Sequence, residues 1–77
     1  MPLQQKNSVH PKALLHSKWT AVQPLDKQKH FVVIKVIEPL DHSPIECVEI
    51  EAVLSKVTQR IAWRELREVA RWQQGWR

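Results

Sequence analysis

From Arg60 to Arg77 the chain interleaves Arg60, Arg64, Arg67, Arg71 and Arg77 with Trp63, Trp72 and Trp76. Arginine supplies phosphate contacts and a planar group that stacks, and tryptophan supplies a platform for unpaired bases. These are the residue types a single-stranded nucleic-acid surface needs. Alternating arginine and apolar residues is also what any amphipathic helix shows, and that plainer explanation competes closely with the first.

The other reactive side chains form weaker patterns. His10, His16, His30 and His42 stand apart from one another, and the lone cysteine is Cys47. Structural zinc sites use closely spaced ligand pairs, which are missing here, so no metal site is expected. Cys47 lies between Glu46 and Glu49, and negative neighbours work against a reactive thiolate. Glu49 and Glu51 fall on one side of a strand about 7 Å apart, a separation that some hydrolases use. So small a domain has little room for a substrate cleft, however, and a solvated strand face is the better reading. There is no glycine-rich phosphate loop and no hydroxyl–histidine–acid motif. The expectation is a binding protein, not an enzyme, with no cofactor.

The 77 residues allow one domain. Domains of this size bury only about 60% of the surface their unfolded chains expose, so the core needs reinforcement. One cysteine rules out an internal disulfide, but four tryptophans offer large rings at small entropic cost. Trp19 and Trp63 are read as core. The opening MPLQQKNSVH has no apolar run of the kind secretory signals carry, and Phe31-Val32-Val33-Ile34 is too short to cross a membrane. A cytoplasmic setting without membrane contact is expected. Oligomeric state is open.

Charge comes in blocks. Residues 1–29 hold five lysines against Asp26, residues 30–55 hold Lys35 against five acids, and residues 56–77 hold six bases against Glu65 and Glu68. If the basic ends meet in space, they make a face that attracts phosphate or acidic protein.

Residues 1–10 read as a flexible leader, and residues 11–77 as one β-rich domain. Pro11 suits the first position of a short helix through Leu15. Lys18–Val22 has strand composition, and Gln23–Lys29 reads as a loop. In the strand His30–Glu38, Val32, Ile34 and Val36 take one side, and Phe31, Val33, Lys35 and Ile37 the other. Lys35 marks the second side as the less buried. Phe31, Val33 and Ile37 therefore form a candidate patch for a protein partner. Residues 45–55 alternate, with Val48, Ile50, Ala52 and Leu54 inward and Cys47, Glu49 and Glu51 outward. Thr58–Trp63 reads as a fourth strand. Residues 64–74 favour a helix with Leu66, Val69 and Ala70 on its apolar side and Arg64, Arg67 and Arg71 opposite; Trp72 does not fit this wheel. Gly75 would cap it, with Trp76 folding back near Ala70. The expected fold is mainly β, bordering on α+β. It is a four-stranded antiparallel meander, as a strongly bent sheet or a partly open SH3-like barrel, with a short C-terminal helix.

Lys18-Trp19-Thr20-Ala21-Val22, His30-Phe31, Glu51-Ala52-Val53-Leu54-Ser55, Trp63-Arg64-Glu65-Leu66 and the closing Arg71-Trp72…Gly75-Trp76 together resemble the small Trp-rich conserved hypothetical proteins of bacteria and cyanobacteria. That is a family of unknown function. The likeness runs from about Pro11 to the end, and it implies no activity. The function expected from the residues is nucleic-acid binding through Arg60, Arg64, Arg67, Arg71, Trp72 and Arg77. The alternative is a protein-interaction module or accessory subunit.

Overall fold

The computed structural model describes residues 6–77. Its strands are β1 (Lys18–Leu25), β2 (Gln28–Val36), β3 (Cys47–Ala52), β4 (Thr58–Ala62) and β5 (Trp72–Gln74). They form one antiparallel sheet in the order β4-β3-β2-β1-β5, open because its two edges do not pair. The mainly β class holds, and the four-stranded meander is present. A fifth strand extends it. Among the described residues, no helix is long and apolar enough to cross a membrane.

The β1–β2 connection is tighter than the expected loop over residues 23–29. Leu25 pairs with Gln28 across a two-residue turn in which Asp26 and Lys27 both have positive φ, 52° and 63°. Such turns match the right-handed twist of the strands they join. Pro24 is tolerated because the ladder shifts register between Thr20 and Leu25, where a missing N–H costs no pairing.

The inner face carries Trp19, Phe31, Val33, Val48, Ile50 and Ala52, all buried. This corrects the facing of β2. Phe31 and Val33 point into the core, so they do not form an outer partner patch; Ile37 is half-buried. The register shifts between Val33 and Lys35, which leaves Ile34 unpaired and partly exposed and returns Val36 to the core side. A strict two-residue period cannot anticipate such a bulge. On β3 the expected alternation holds. Leu54, expected to point inward, lies beyond the strand and is exposed.

The segment 64–74 departs furthest from expectation. Its helix is a five-residue 3-10 helix, Trp63–Arg67, which buries Leu66 fully; the chain then extends as β5. Pairing explains the outcome. Trp72 sits opposite Ala21 and Gln74 opposite Trp19, which completes an edge of β1 that a helix would leave open. The same path puts the Trp72 ring edge-on to Phe31, with centroids 5.2 Å apart, inside the core.

The N-terminal segment covers the inner face. A 3-10 helix at Pro11–Ala13 starts at the expected proline and delivers Leu14 to the core. Within the leader read over residues 1–10, residues 1–5 lie outside the described part. Asn7 is tied into the fold: its side-chain amide donates to the carbonyls of Leu66 (2.7 Å) and Trp72 (2.9 Å). The Cα frame is only 16 Å thick, enough for one sheet and one covering layer. Among the described residues, the outer face is covered only beside β1, where the segment after β5 lies over Thr20.

Candidate functional site

The arginines singled out in the sequence each make their own local contacts. Arg60 lies on edge strand β4 and pairs with Glu49 at 3.2 Å. Arg64 stacks over Trp63, its guanidinium carbon 5.2 Å from the ring centroid. Arg71 pairs with Glu65 at 3.0 Å and approaches Glu68 at 4.0 Å. The backbone carbonyl of Arg67 accepts from the Asn7 N–H. Trp72 is 7% exposed, so its ring is packing and not an open stacking platform. Trp63 is half-buried against the core, with its Nε1 donating to the Ile45 carbonyl at 2.9 Å.

What the fold does gather lies on the outer face beside β1. Strand alternation sends Trp19 inward, and therefore sends Lys18 and Thr20 outward. Thr20 pairs with His30 on β2. Gly75, at φ 81°, turns the chain after β5 so that Trp76 returns over this face, not toward Ala70 as the helix reading required. Only glycine adopts this φ without strain. The Trp76 ring is held by its Nε1–H, which donates to the Phe31 carbonyl at 3.0 Å. Lys18 Nζ stands 4.7 Å from the ring centroid, and the His30 ring lies 5.9 Å away at 38°. Trp76 is 45% exposed.

Thr20 fastens this arrangement. It is 1% exposed although it points outward, because the C-terminal segment covers it. Its hydroxyl donates to the Gly75 carbonyl (2.7 Å) and accepts from the Arg77 N–H (2.8 Å). His30 Nε2 lies 3.0 Å from the Arg77 carbonyl, which makes Nε2 the protonated ring nitrogen. Arg77 Nε donates to the Gln74 carbonyl. Lys18, His30, Trp76 and Arg77 thus form one cluster; the sequence pattern singles out Trp76 and Arg77 for such a surface, but not Lys18 or His30. The missing signal was the pairing of β5 with β1, which brings residues 74–77 against residues 18–20.

Acidic groups lie to one side of the cluster. Lys18 shares a cross-strand row with Val32, Glu51 and Thr58, which places Glu51 two strands, about 10 Å, away. Glu49 is engaged by Arg60. Cys47 is a free, half-buried thiol on the same face. Among the described residues, no three His, Cys, Asp or Glu gather as metal ligands. Asp41 has a perturbed acidity, held below the ordinary carboxyl value by hydrogen bonds from the Ser43 side chain and backbone, in an exposed loop.

Among the described residues, two buried side-chain polar atoms have no partner: Trp72 Nε1 and Gln28 Oε1. A sealed, unsatisfied donor or acceptor costs about 1–3 kcal/mol.

No curated protein and no solved structure matches the chain. The profile of one family, described as Tryptophan-rich protein (DUF2389), matches residues 17–77, a span that takes in all five strands and the cluster around Trp76. The chain belongs to this Trp-rich family of unknown function.

Proposed function

We propose that the protein is a non-catalytic module that binds single-stranded nucleic acid on the outer face of its sheet. Trp76 takes the stacking role that the sequence reading gave to Trp72. The observation that carries the proposal is an exposed tryptophan pinned by its own N–H and bordered by Lys18, His30 and Arg77. A base stacking on Trp76 displaces the Lys18 ammonium from the ring. That contact is worth about 0.5–1 kcal/mol at an exposed site. Base–aromatic stacking returns about 1–3 kcal/mol and is indifferent to sequence. The freed ammonium then stands where the phosphate of the stacked nucleotide passes. Glu49 and Glu51 repel the backbone from the β3 side, so the strand runs along β1 and the C-terminal segment. Arg64 is engaged by Trp63 and Arg71 by Glu65, so neither is given a phosphate here.

The test is the anisotropy of a labelled oligothymidylate. Two cations on phosphates, Lys18 and Arg77, at a slope of about 0.7 each, weaken binding by about 7-fold between 50 and 200 mM salt. Trp76→Leu, which removes an exposed ring, is expected to cost about 5- to 150-fold in affinity. Absence of binding at low salt, or binding indifferent to Trp76→Leu, refutes the proposal and turns attention to a protein partner.

A further inference from the structure

The β1–β2 and β3–β4 hairpins turn at the same end of the sheet. Their tips border one half-open depression, with Leu25 and Gln28 from the first and Ser55 and Val57 from the second. Three aliphatic side chains project there: Leu25 is 79% exposed, Leu54 74% and Val57 64%. Single exposed apolar residues are ordinary on a protein surface, but three on adjacent tips make a patch.

The patch is ringed by positive charge. Residues 23–29 and 53–59 hold Lys27, Lys29 and Lys56, all exposed, against the single acid Asp26. Glu65, which also lines the depression, is held by Arg71. The connection at the other end of β2 and β3, residues 37–46, holds Glu38, Asp41 and Glu46 and no lysine or arginine, although Leu40 is exposed there too. Charge therefore runs along the strands from acidic to basic, and an anionic surface attracts the hairpin end. Lys27 and Lys56 also have positive φ, 63° and 65°, where glycine is free of strain. Each tip thus keeps a lysine at a local cost.

The residue types select the partner. Protein interfaces favour arginine and aromatic rings and are poor in lysine. At these tips lysine is the only base and there is no aromatic ring, so an unpaired base has nothing to stack on. Lysines beside projecting aliphatic side chains suit lipid, because their stems lie along the acyl boundary and their ammonium groups reach anionic headgroups.

We infer that the hairpin end of the sheet docks on a bilayer containing anionic phospholipid. Leu25, Leu54 and Val57 enter the acyl boundary, and Lys27, Lys29 and Lys56 meet the headgroups. The sequence expectation of no membrane contact rests on the lack of a long apolar run; tips that are separate in the chain and meet only in the fold make no such run. Trp76 takes no part, so the inference stands apart from the nucleic-acid proposal.

The experiment is co-sedimentation of the full chain with vesicles of phosphatidylcholine and of phosphatidylcholine mixed with phosphatidylglycerol. Binding is expected to the mixed vesicles only, weakening as salt is raised. Lys27→Gly is expected to weaken it about fivefold while steadying the fold, which separates membrane contact from stability. Leu25→Ser combined with Leu54→Ser, both at exposed positions, is expected to weaken it more than about tenfold with the circular-dichroism melt retained. Trp76→Leu is expected to leave vesicle binding as it is, and the two leucine changes to leave oligothymidylate binding as it is, so the two proposals fail separately. No sedimentation with mixed vesicles at low salt, or equal sedimentation with both kinds, overturns the inference. So does sedimentation that the leucine changes leave unaltered, which is the attraction of a basic protein by charge alone. Binding to polyglutamate beads in place of vesicles also overturns it and assigns the lysines to an acidic protein.

Discussion

Thr20→Val tests whether a single buried hydroxyl fastens the C-terminal segment to the sheet. Valine keeps the β-branched shape and close to the volume of threonine, so strand propensity and packing are retained. What is lost is the pair of hydrogen bonds, to the Gly75 carbonyl at 2.7 Å and from the Arg77 N–H at 2.8 Å. Each is worth about 0.5–1.5 kcal/mol net, and a stranded backbone partner adds to the loss when water does not reach it. Gly75 is half-buried and Arg77 exposed, so rehydration recovers part, and the expected cost is about 2 kcal/mol. In a domain of this size that lowers the melting temperature by about 8–16 °C. The same change frees Trp76, whose indole N–H resonance should lose the signature of its bond to Phe31. Thermal melting by circular dichroism reads the first effect and indole NMR the second. A melting temperature within about 2 °C of the parent, with the Trp76 resonance unmoved, refutes the reasoning.

The remaining expectations follow from backbone strain and core packing. Gly75→Ala meets no neighbour within 4 Å, so its cost is that of holding φ at 81°, about 1 kcal/mol net, seen as a lower urea midpoint and weaker oligonucleotide binding. Lys27→Gly relieves a left-handed residue in the β1–β2 turn and should stabilise by about 0.5–1 kcal/mol in the same assay. Leu66→Ala empties a site with no exposure in the core and should cost about 2–5 kcal/mol; in a domain of this size that leaves much of the protein unfolded at 37 °C by circular dichroism.

Local chemistry made the meander readable. β3 announces itself through alternation, and Pro11 marks its 3-10 helix. The failures share a cause, which is long-range pairing. The bulge after Val33 depends on the register against β3, so strict alternation puts Phe31 and Val33 on the wrong side. Segment 64–74 carries helical spacing at Leu66, Val69 and Ala70, but the open edge of β1 recruits Trp72–Gln74 as a strand. The misfit of Trp72 on the helical wheel was the one local sign of this. The candidate site inherits the same gap. Its tryptophan and its lysine lie 58 residues apart in the sequence (Lys18 to Trp76), and only β5 brings them together.

The most direct test of the outer-face account is an amide chemical-shift map of the protein titrated with a short oligothymidylate at low salt. The account predicts perturbations concentrated at Lys18, Thr20, His30, Trp76 and Arg77, fading as salt is raised. Shifts confined to Arg64, Arg67 and Arg71, or no shifts at any salt, would contradict it.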